Sequence, residues 1–263
     1  MRGGADAALT AFISAELAEP TLAEATAFAE YLADRPGVIA ILFYGSCLQR
    51  GTTEGMLDFY ALTDGSVGAW DESAAIRAAG RVLPPNVYPV ESGELRAKVA
   101  VVPLDIFAQR MTLTTLDTTF WARFCQRSAL LWVKDDETQR RAAHAVATGV
   151  ETAAIWADRL AGKETGCAAW RALFAKTYRV EIRVEPRSRA GDIVGVDEQR
   201  FEDLWNLTTP ARTAAPGAMA GAWLARWWMG KAFHISRLAK AALTFDGGPR
   251  YLIWKIKRHL GKR

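Results

Sequence analysis

The chain has 263 residues, 50% of them hydrophobic and 24% charged, enough to bury a substantial core in one large domain or two small ones. The longest clean apolar run, Val38 to Tyr44, has the length of a buried strand, and Met1 to Asp6 lack the apolar core of a signal peptide; a cytoplasmic protein with no spanning helix is expected. Cys47, Cys125 and Cys167 are dispersed, as are His144, His234 and His259, which argues against a zinc motif, a histidine-rich metal centre and a Ser-His-Asp hydrolase.

In chain order, Ala7–Leu17 and Leu22–Ala33 show helical spacing, punctuated by Pro20-Thr21 and Arg35-Pro36-Gly37. Val38–Tyr44 is β-branched and aromatic, and this expected strand stops at Gly45-Ser46. A polar connection, Gln49–Gly55, leads to a second strand, Met56–Leu62, ending at the turn signal Asp64-Gly65. Trp70–Gly80 reads as helix, Pro84-Pro85-Asn86 as a break, and Leu95–Val102 as a third strand carrying Lys98. Helices are expected over Leu104–Met111 and Thr118–Arg127, with a short strand at Leu130–Trp132. Thr138 to Arg183 is mainly helical with an interruption at Gly162–Gly166, and a polar Arg-rich loop follows over Pro186–Gly195. Pro210–Gly217 reads as a linker before a Trp-rich helix, Met219–Leu243, whose tryptophans are assigned to core packing. The class is α+β: a mixed sheet with helices over 1–135, a mainly helical region over 136–246, and a basic amphipathic helix over 247–263.

The net charge of +4 is modest but unevenly placed, since six basic residues and no acid follow Asp246. In the final helix Leu252, Ile253, Ile256 and Leu260 share one side, with Lys255, Lys257 and Arg258 on the other side and its flanks. Such a helix suits an anionic membrane surface, and a helix docked on the body with a solvated basic face is the competing reading. A nucleic-acid arm is disfavoured, because no second basic patch with interleaved aromatics accompanies it.

The chemistry concentrates at the ends of the first two strands. Glycine lets a phosphate approach the backbone, serine offers a hydroxyl and an amide, and an acid on the next strand can hold a divalent cation. Tyr44-Gly45-Ser46 followed by Asp58 is that layout. Lys98, inside an expected strand, reads equally as a phosphate contact or as a solvent-facing edge-strand lysine. Asp64 reads as a turn residue rather than a metal ligand. Arg183 and Arg187 belong to an Arg-rich strip that suits either phosphate recognition or solvated ion pairs.

Phe43-Tyr44-Gly45-Ser46, Met56-Leu57-Asp58-Phe59, and Gly93-Glu94-Leu95 leading to Lys98-Val99-Ala100-Val101-Val102 resemble the DNA polymerase beta-like nucleotidyltransferase superfamily. Within it they are similar to the mitochondrial-type phosphatidate cytidylyltransferases of the translocator assembly and maintenance family. The likeness is best from about Ile39 to Trp132. Many superfamily members carry two acids separated by one residue; here Met56 stands at the first position, and the lipid-activating family likewise has an apolar residue there. Cys47-Leu48 after the serine, where a glycine is usual, and Trp70 without a histidine neighbour depart from the mitochondrial pattern.

The resemblance implies CTP and phosphatidic acid as substrates, Mg2+ as cofactor, CDP-diacylglycerol and pyrophosphate as products, and a peripheral position on a membrane. Tyr44, Gly45 and Ser46 would bind the nucleotide, Asp58 the metal, and Lys98 would counter phosphate charge. Nucleotide transfer to a small-molecule or protein hydroxyl, and a non-catalytic nucleotide- or membrane-binding module of the same fold, are the alternatives.

Overall fold

The computed structural model describes residues 6–66, 70, 74–180, 193–215 and 220–244. Two helices, α1 (Ala7–Leu17) and α2 (Ala23–Ala33), precede β1 (Val38–Tyr44). A five-residue helix, α3 (Ser46–Arg50), connects it to β2 (Met56–Thr63). Then come α4 (Ala74–Val82), β3 (Asn86–Ser92), β4 (Leu95–Pro103), α5 (Leu104–Met111), α6 (Trp121–Phe124) and β5 (Ser128–Val133). The second half is helical: α7 (Asp136–Ala161), α8 (Gly166–Val180), α9 (Glu198–Leu207), α10 (Thr209–Ala214) and α11 (Ala220–Thr244).

The fold is α+β, built on one mixed five-stranded sheet in the order β3-β4-β2-β1-β5. β1 lies antiparallel to both β2 and β5, and β3 antiparallel to β4, while β2 and β4 run parallel. This arrangement gathers the end of β1 and the starts of β2, β4 and β5 at one edge. Every residue of β1 is buried, as a central strand covered on both faces requires. On one face Phe43, Leu57, Phe59 and Val99 pack with Phe28 and Leu32 of α2. On the other, Leu42, Tyr44, Tyr60 and Val102 join a larger core with α1 and with α5 through α9. That core is continuous across residue 135, because α7 packs on the sheet, on α1 and on α8 alike.

The local sequence accounts for α7 well. Asp135 caps it by accepting from the Thr138 amide at 2.7 Å, and Asp136 and Glu137 occupy the first turn, where carboxylates meet the positive end of the helix dipole. Its later turns are buried almost all round, so alanines dominate. At Gly149 an added Cβ would stand 2.7 Å from Met111 Sδ, and Thr152 donates to the Met111 carbonyl at 2.7 Å, which sets the close approach to α5.

Several sequence expectations need correction. β3 was read only as a break after Pro84-Pro85-Asn86; it is an edge strand, the place where a residue such as Pro89 is tolerated. The polar connection from Gln49 begins inside α3, and the helix expected over Thr118–Arg127 contracts to α6 between turns. Pro210–Gly217 is no linker at its start, since Pro210 sits in the first turn of α10. Ile193 and Val194, assigned to the Arg-rich loop, are buried.

One buried ion pair ties the two halves together. Glu16 of α1 accepts from Arg200 of α9 through both carboxylate oxygens, and Arg200 also donates to the Cys125 carbonyl at 3.0 Å. Both side chains are less than a tenth exposed. Removing one partner strands the other charge in the core. Glu16→Ala is therefore expected to lower unfolding stability by about 3–5 kcal/mol in a urea titration, and Glu16→Ala with Arg200→Met to recover part of that loss.

Candidate active site

The site is set by strand register. Tyr44 is the β1 partner of Asp58, and Asp58 is the β2 partner of Lys98, so the three residues lie in a row across adjacent strands spaced about 4.8 Å apart. Alternation along β2 places Asp58 on the same face as Tyr60 and Leu62, which is the larger core's face. There Asp58 is half-buried and Lys98 is exposed. Strand register sets the place of Lys98, on an interior strand of the sheet.

Gly45 makes the turn possible. Its φ of 91° and ψ of −164° fall in a region essentially reserved for glycine. A Cβ there would stand 2.9 Å from Asp58 Oδ2, so the missing side chain leaves room for the carboxylate against the backbone. The Gly45 carbonyl then accepts the Gln49 amide at 3.1 Å, opening α3. Arg50 folds back along α3 and donates to the Ser46 carbonyl at 3.2 Å and to Ser46 Oγ at 3.4 Å.

Cys47 faces the opposite way, buried, with Sγ 3.5 Å from the Met56 carbonyl, and fastens the connection to β2. Burial pushes its thiol up, Asp58's charge adds to this, and Arg50 opposes it. Burial likewise pushes Cys125 up to about 12 and, with Glu202 nearby, Cys167 up to about 11. All three are free thiols, and none is set up as a thiolate nucleophile at neutral pH.

Sequence reasoning missed Arg123. Carried by α6, its guanidinium lies 5.4 Å over the Tyr44 ring and 5.9 Å over the Tyr60 ring, and it donates to the Tyr60 hydroxyl at 3.0 Å. Burial pushes the Tyr60 phenol up, opposed by Arg123 and Arg237. The only sequence cue was an arginine inside an aromatic run, Phe120-Trp121-Ala122-Arg123-Phe124, whose neighbours are all buried.

Behind Arg123, Asp117 is fully buried and accepts from Arg237 of α11, while the Thr119 amide donates to it at 3.1 Å. Arg237 also donates to the Pro84 carbonyl at 2.8 Å, and Lys240 to the Leu83 and Pro85 carbonyls. This closes α11 onto the segment before β3.

The other sequence candidates separate from this site. Asp64 lies just past the end of β2, six residues from Asp58 and about 20 Å away, with its carboxylate held low by the hydroxyl and amide of Ser66. It is a turn residue and not a companion to Asp58. Arg183, Arg187, Lys255, Lys257 and Arg258 lie outside the described residues. Met56 is half-exposed two positions before Asp58 on the same face, where a second acid would stand. Among the described residues no group of three or more His, Cys, Asp or Glu side chains could form a metal cage. No model of a known protein family matches the chain, and no curated protein matches it.

Two measurements check this geometry. Gly45→Ala is expected to cost about 1–3 kcal/mol in denaturant unfolding, whereas Gly51→Asn, at a left-handed position with open space around it, is expected to be near neutral. For Asp117, burial alone would raise the carboxyl, but the charge and hydrogen bonds of Arg237, with those of Thr119, hold it below its ordinary 3.8. Its folded-state value is the depressed one, so the stability it contributes is complete above its unfolded value and is lost as pH falls through the lower folded value. Unfolding midpoints measured from pH 6 down to pH 2 are expected to fall less steeply in Asp117→Asn than in the parent chain, from a lower starting stability.

Proposed function

We propose that this chain is a magnesium-dependent nucleotidyltransferase that joins CTP to phosphatidic acid, giving CDP-diacylglycerol and pyrophosphate. The observation that carries the reading is the row Tyr44, Asp58, Lys98 at one sheet edge, with the Asp58 carboxylate lying where a Gly45 side chain would be. An anionic ligand approaching that edge meets the Gly45-Ser46 backbone, the Ser46 hydroxyl and the cations Lys98 and Arg123. The choice of CTP and of a lipid acceptor is supported by the sequence resemblance.

The residues fit a magnesium ion shared with substrate. Magnesium is commonly held by one or two carboxylates together with phosphate oxygens, and Asp58 offers one carboxylate against the Gly45 backbone, with Ser46 Oγ at the same turn. When bound, the ion would neutralise phosphate charge and orient the triphosphate. Lys98 would balance charge developing on the departing pyrophosphate, and Arg123, fixed by Tyr60 and stacked over Tyr44, would orient a phosphate group.

One carboxylate suffices for this acceptor. A hydroxyl nucleophile must lose a proton, whereas a phosphate monoester with a second pKa of about 6 is already largely ionised at neutral pH. Met56 in place of a second acid is therefore consistent with a phosphate acceptor. The same residue is the observation that favours the second reading, a nucleotide-binding module without turnover.

α11 supports a peripheral membrane position. Leu224, Trp228 and Ile235 are each more than half exposed and lie within about 40° of one another around the helix axis. Lys231 sits in the same stripe with Nζ 3.6 Å over the Trp227 ring, and Ala220–Thr244 holds no acidic residue. An apolar stripe with tryptophan and lysine on an acid-free helix suits an anionic lipid interface. No helix among the described residues is long and apolar enough to cross a membrane.

Pyrophosphate release measured with each of the four ribonucleoside triphosphates, with magnesium, with and without phosphatidic acid in mixed micelles, tests the reading. Release is expected with CTP and only when phosphatidic acid is present, and Asp58→Asn is expected to reduce it at least a thousandfold, on the order of 4 kcal/mol. Lipid-independent release would reassign the acceptor, and a fully active Asp58→Asn would remove the site.

A further inference from the structure

A small cleft opens beside α3, between it, the turn before β5 and the start of α9. It is lined by Leu48 and Gln49, by Gln126 and Arg127, and by Phe201, among others, with a volume of about 190 Å³. That is below the ~300 Å³ from which pockets for whole small ligands begin. It has the size for one flat ring of a molecule whose remainder lies outside.

Two side-chain amides stand at its wall. Gln49 Nε2 donates to Gln126 Oε1 at 3.3 Å, and Gln126 Nε2 donates to the Ala122 carbonyl at 3.0 Å. Among the described residues, the Gln49 carbonyl oxygen and the second N–H of each amide carry no hydrogen bond. An amide with an open acceptor and open donors is the group that reads the edge of a heterocyclic base. Leu48 and Phe201 supply apolar surface beside it.

The placement follows from helical spacing. Gln49 lies one turn beyond Ser46 on α3, and Gln126 lies three residues beyond Arg123, so each pair shares one side of its turn. Ser46 and Arg123 border the Asp58 edge, while Gln49 and Gln126 meet one turn further on. The two turns therefore run side by side from the anion-facing edge into the cleft.

We infer that this cleft takes the base of the nucleotide and that Gln49 and Gln126 are its specificity-determining residues. The inference rests on the nucleotidyltransferase reading, to which it adds the means of base selection. A base seated there leaves its sugar at the mouth of the cleft and its phosphates toward Gly45 and Ser46.

Calorimetric titration of the full chain with each ribonucleoside triphosphate and with inorganic tripolyphosphate, in magnesium and without lipid, tests it. The parent chain is expected to bind one triphosphate at least tenfold more tightly than the rest. Gln49→Leu and Gln126→Leu are each expected to erase about tenfold of that preference and to leave tripolyphosphate binding unchanged, which also shows that the variants are folded. Should both variants keep the full preference, or lose tripolyphosphate binding in step with it, the cleft is not the base site. A parent chain that binds all four triphosphates and tripolyphosphate alike overturns base selection here while leaving a triphosphate site at Gly45. A parent chain that binds none of them overturns the nucleotidyltransferase reading and this inference together.

Discussion

The candidate site depends on one close approach, that of the Asp58 carboxylate to the backbone of Gly45. The carboxylate lies where any other residue would carry its Cβ, and the backbone angles at Gly45 are those that side chains disfavour. Given that approach, β1 can end against β2 with the acid presented at the turn. The rest of the sheet then extends the row: parallel pairing brings Lys98 beside Asp58, and α6 lays Arg123 over Tyr44 and Tyr60. Cation, carboxylate and small-residue turn are assembled by backbone pairing, with no long side chain required to reach across.

The helical half serves the same edge. Asp117 and Thr119 lie just before α6, and their grip on Arg237 connects α11 to the residues that place Arg123. α11 reverses the usual arrangement of a surface helix. Arg226, Arg237 and Lys240 face the body, where they meet carbonyls and Asp117, while Leu224, Trp228 and Ile235 face outward. Arg226 is buried and Arg237 and Lys240 are half-buried, which is tolerable because each has hydrogen-bond acceptors supplied by chain turns or by a carboxylate, the Leu113 carbonyl in the case of Arg226. An orientation set by polar anchoring leaves the apolar stripe for something other than the protein's own core.

Much of the sheet and its edge was legible in the sequence because the controlling signals are local. A seven-residue apolar run stopping at Gly45-Ser46, and Leu57-Asp58-Phe59 alternating between faces, specify strands and the side on which the acid points. β3 was hidden because it directly follows the break at Pro84-Pro85-Asn86 and contains Pro89, which a position at the sheet's edge makes acceptable. For Lys98 the phosphate reading comes from the resemblance, since its exposure removes the burial argument, and its place beside Asp58 comes from pairing between strands far apart in sequence. Arg123 and the outward face of α11 escaped for a related reason. Their significance lies in what stands opposite them, and the same tryptophans and arginines fit a buried wheel equally well.

The parallel pairing of β2 with β4 also has a temporal side. Tyr44, Gly45 and Asp58 are joined by a short connection and can meet as soon as that stretch of chain is free to pair. About forty residues separate Asp58 from Lys98, with α4 and an edge strand between them, so the cation arrives only after a crossover has closed. Arg123 comes later still, and Arg237 more than a hundred residues after that. As the polypeptide leaves the ribosome, its acidic turn, with Arg50 already beside it, precedes Lys98, Arg123 and Arg237, and these later cations join it last.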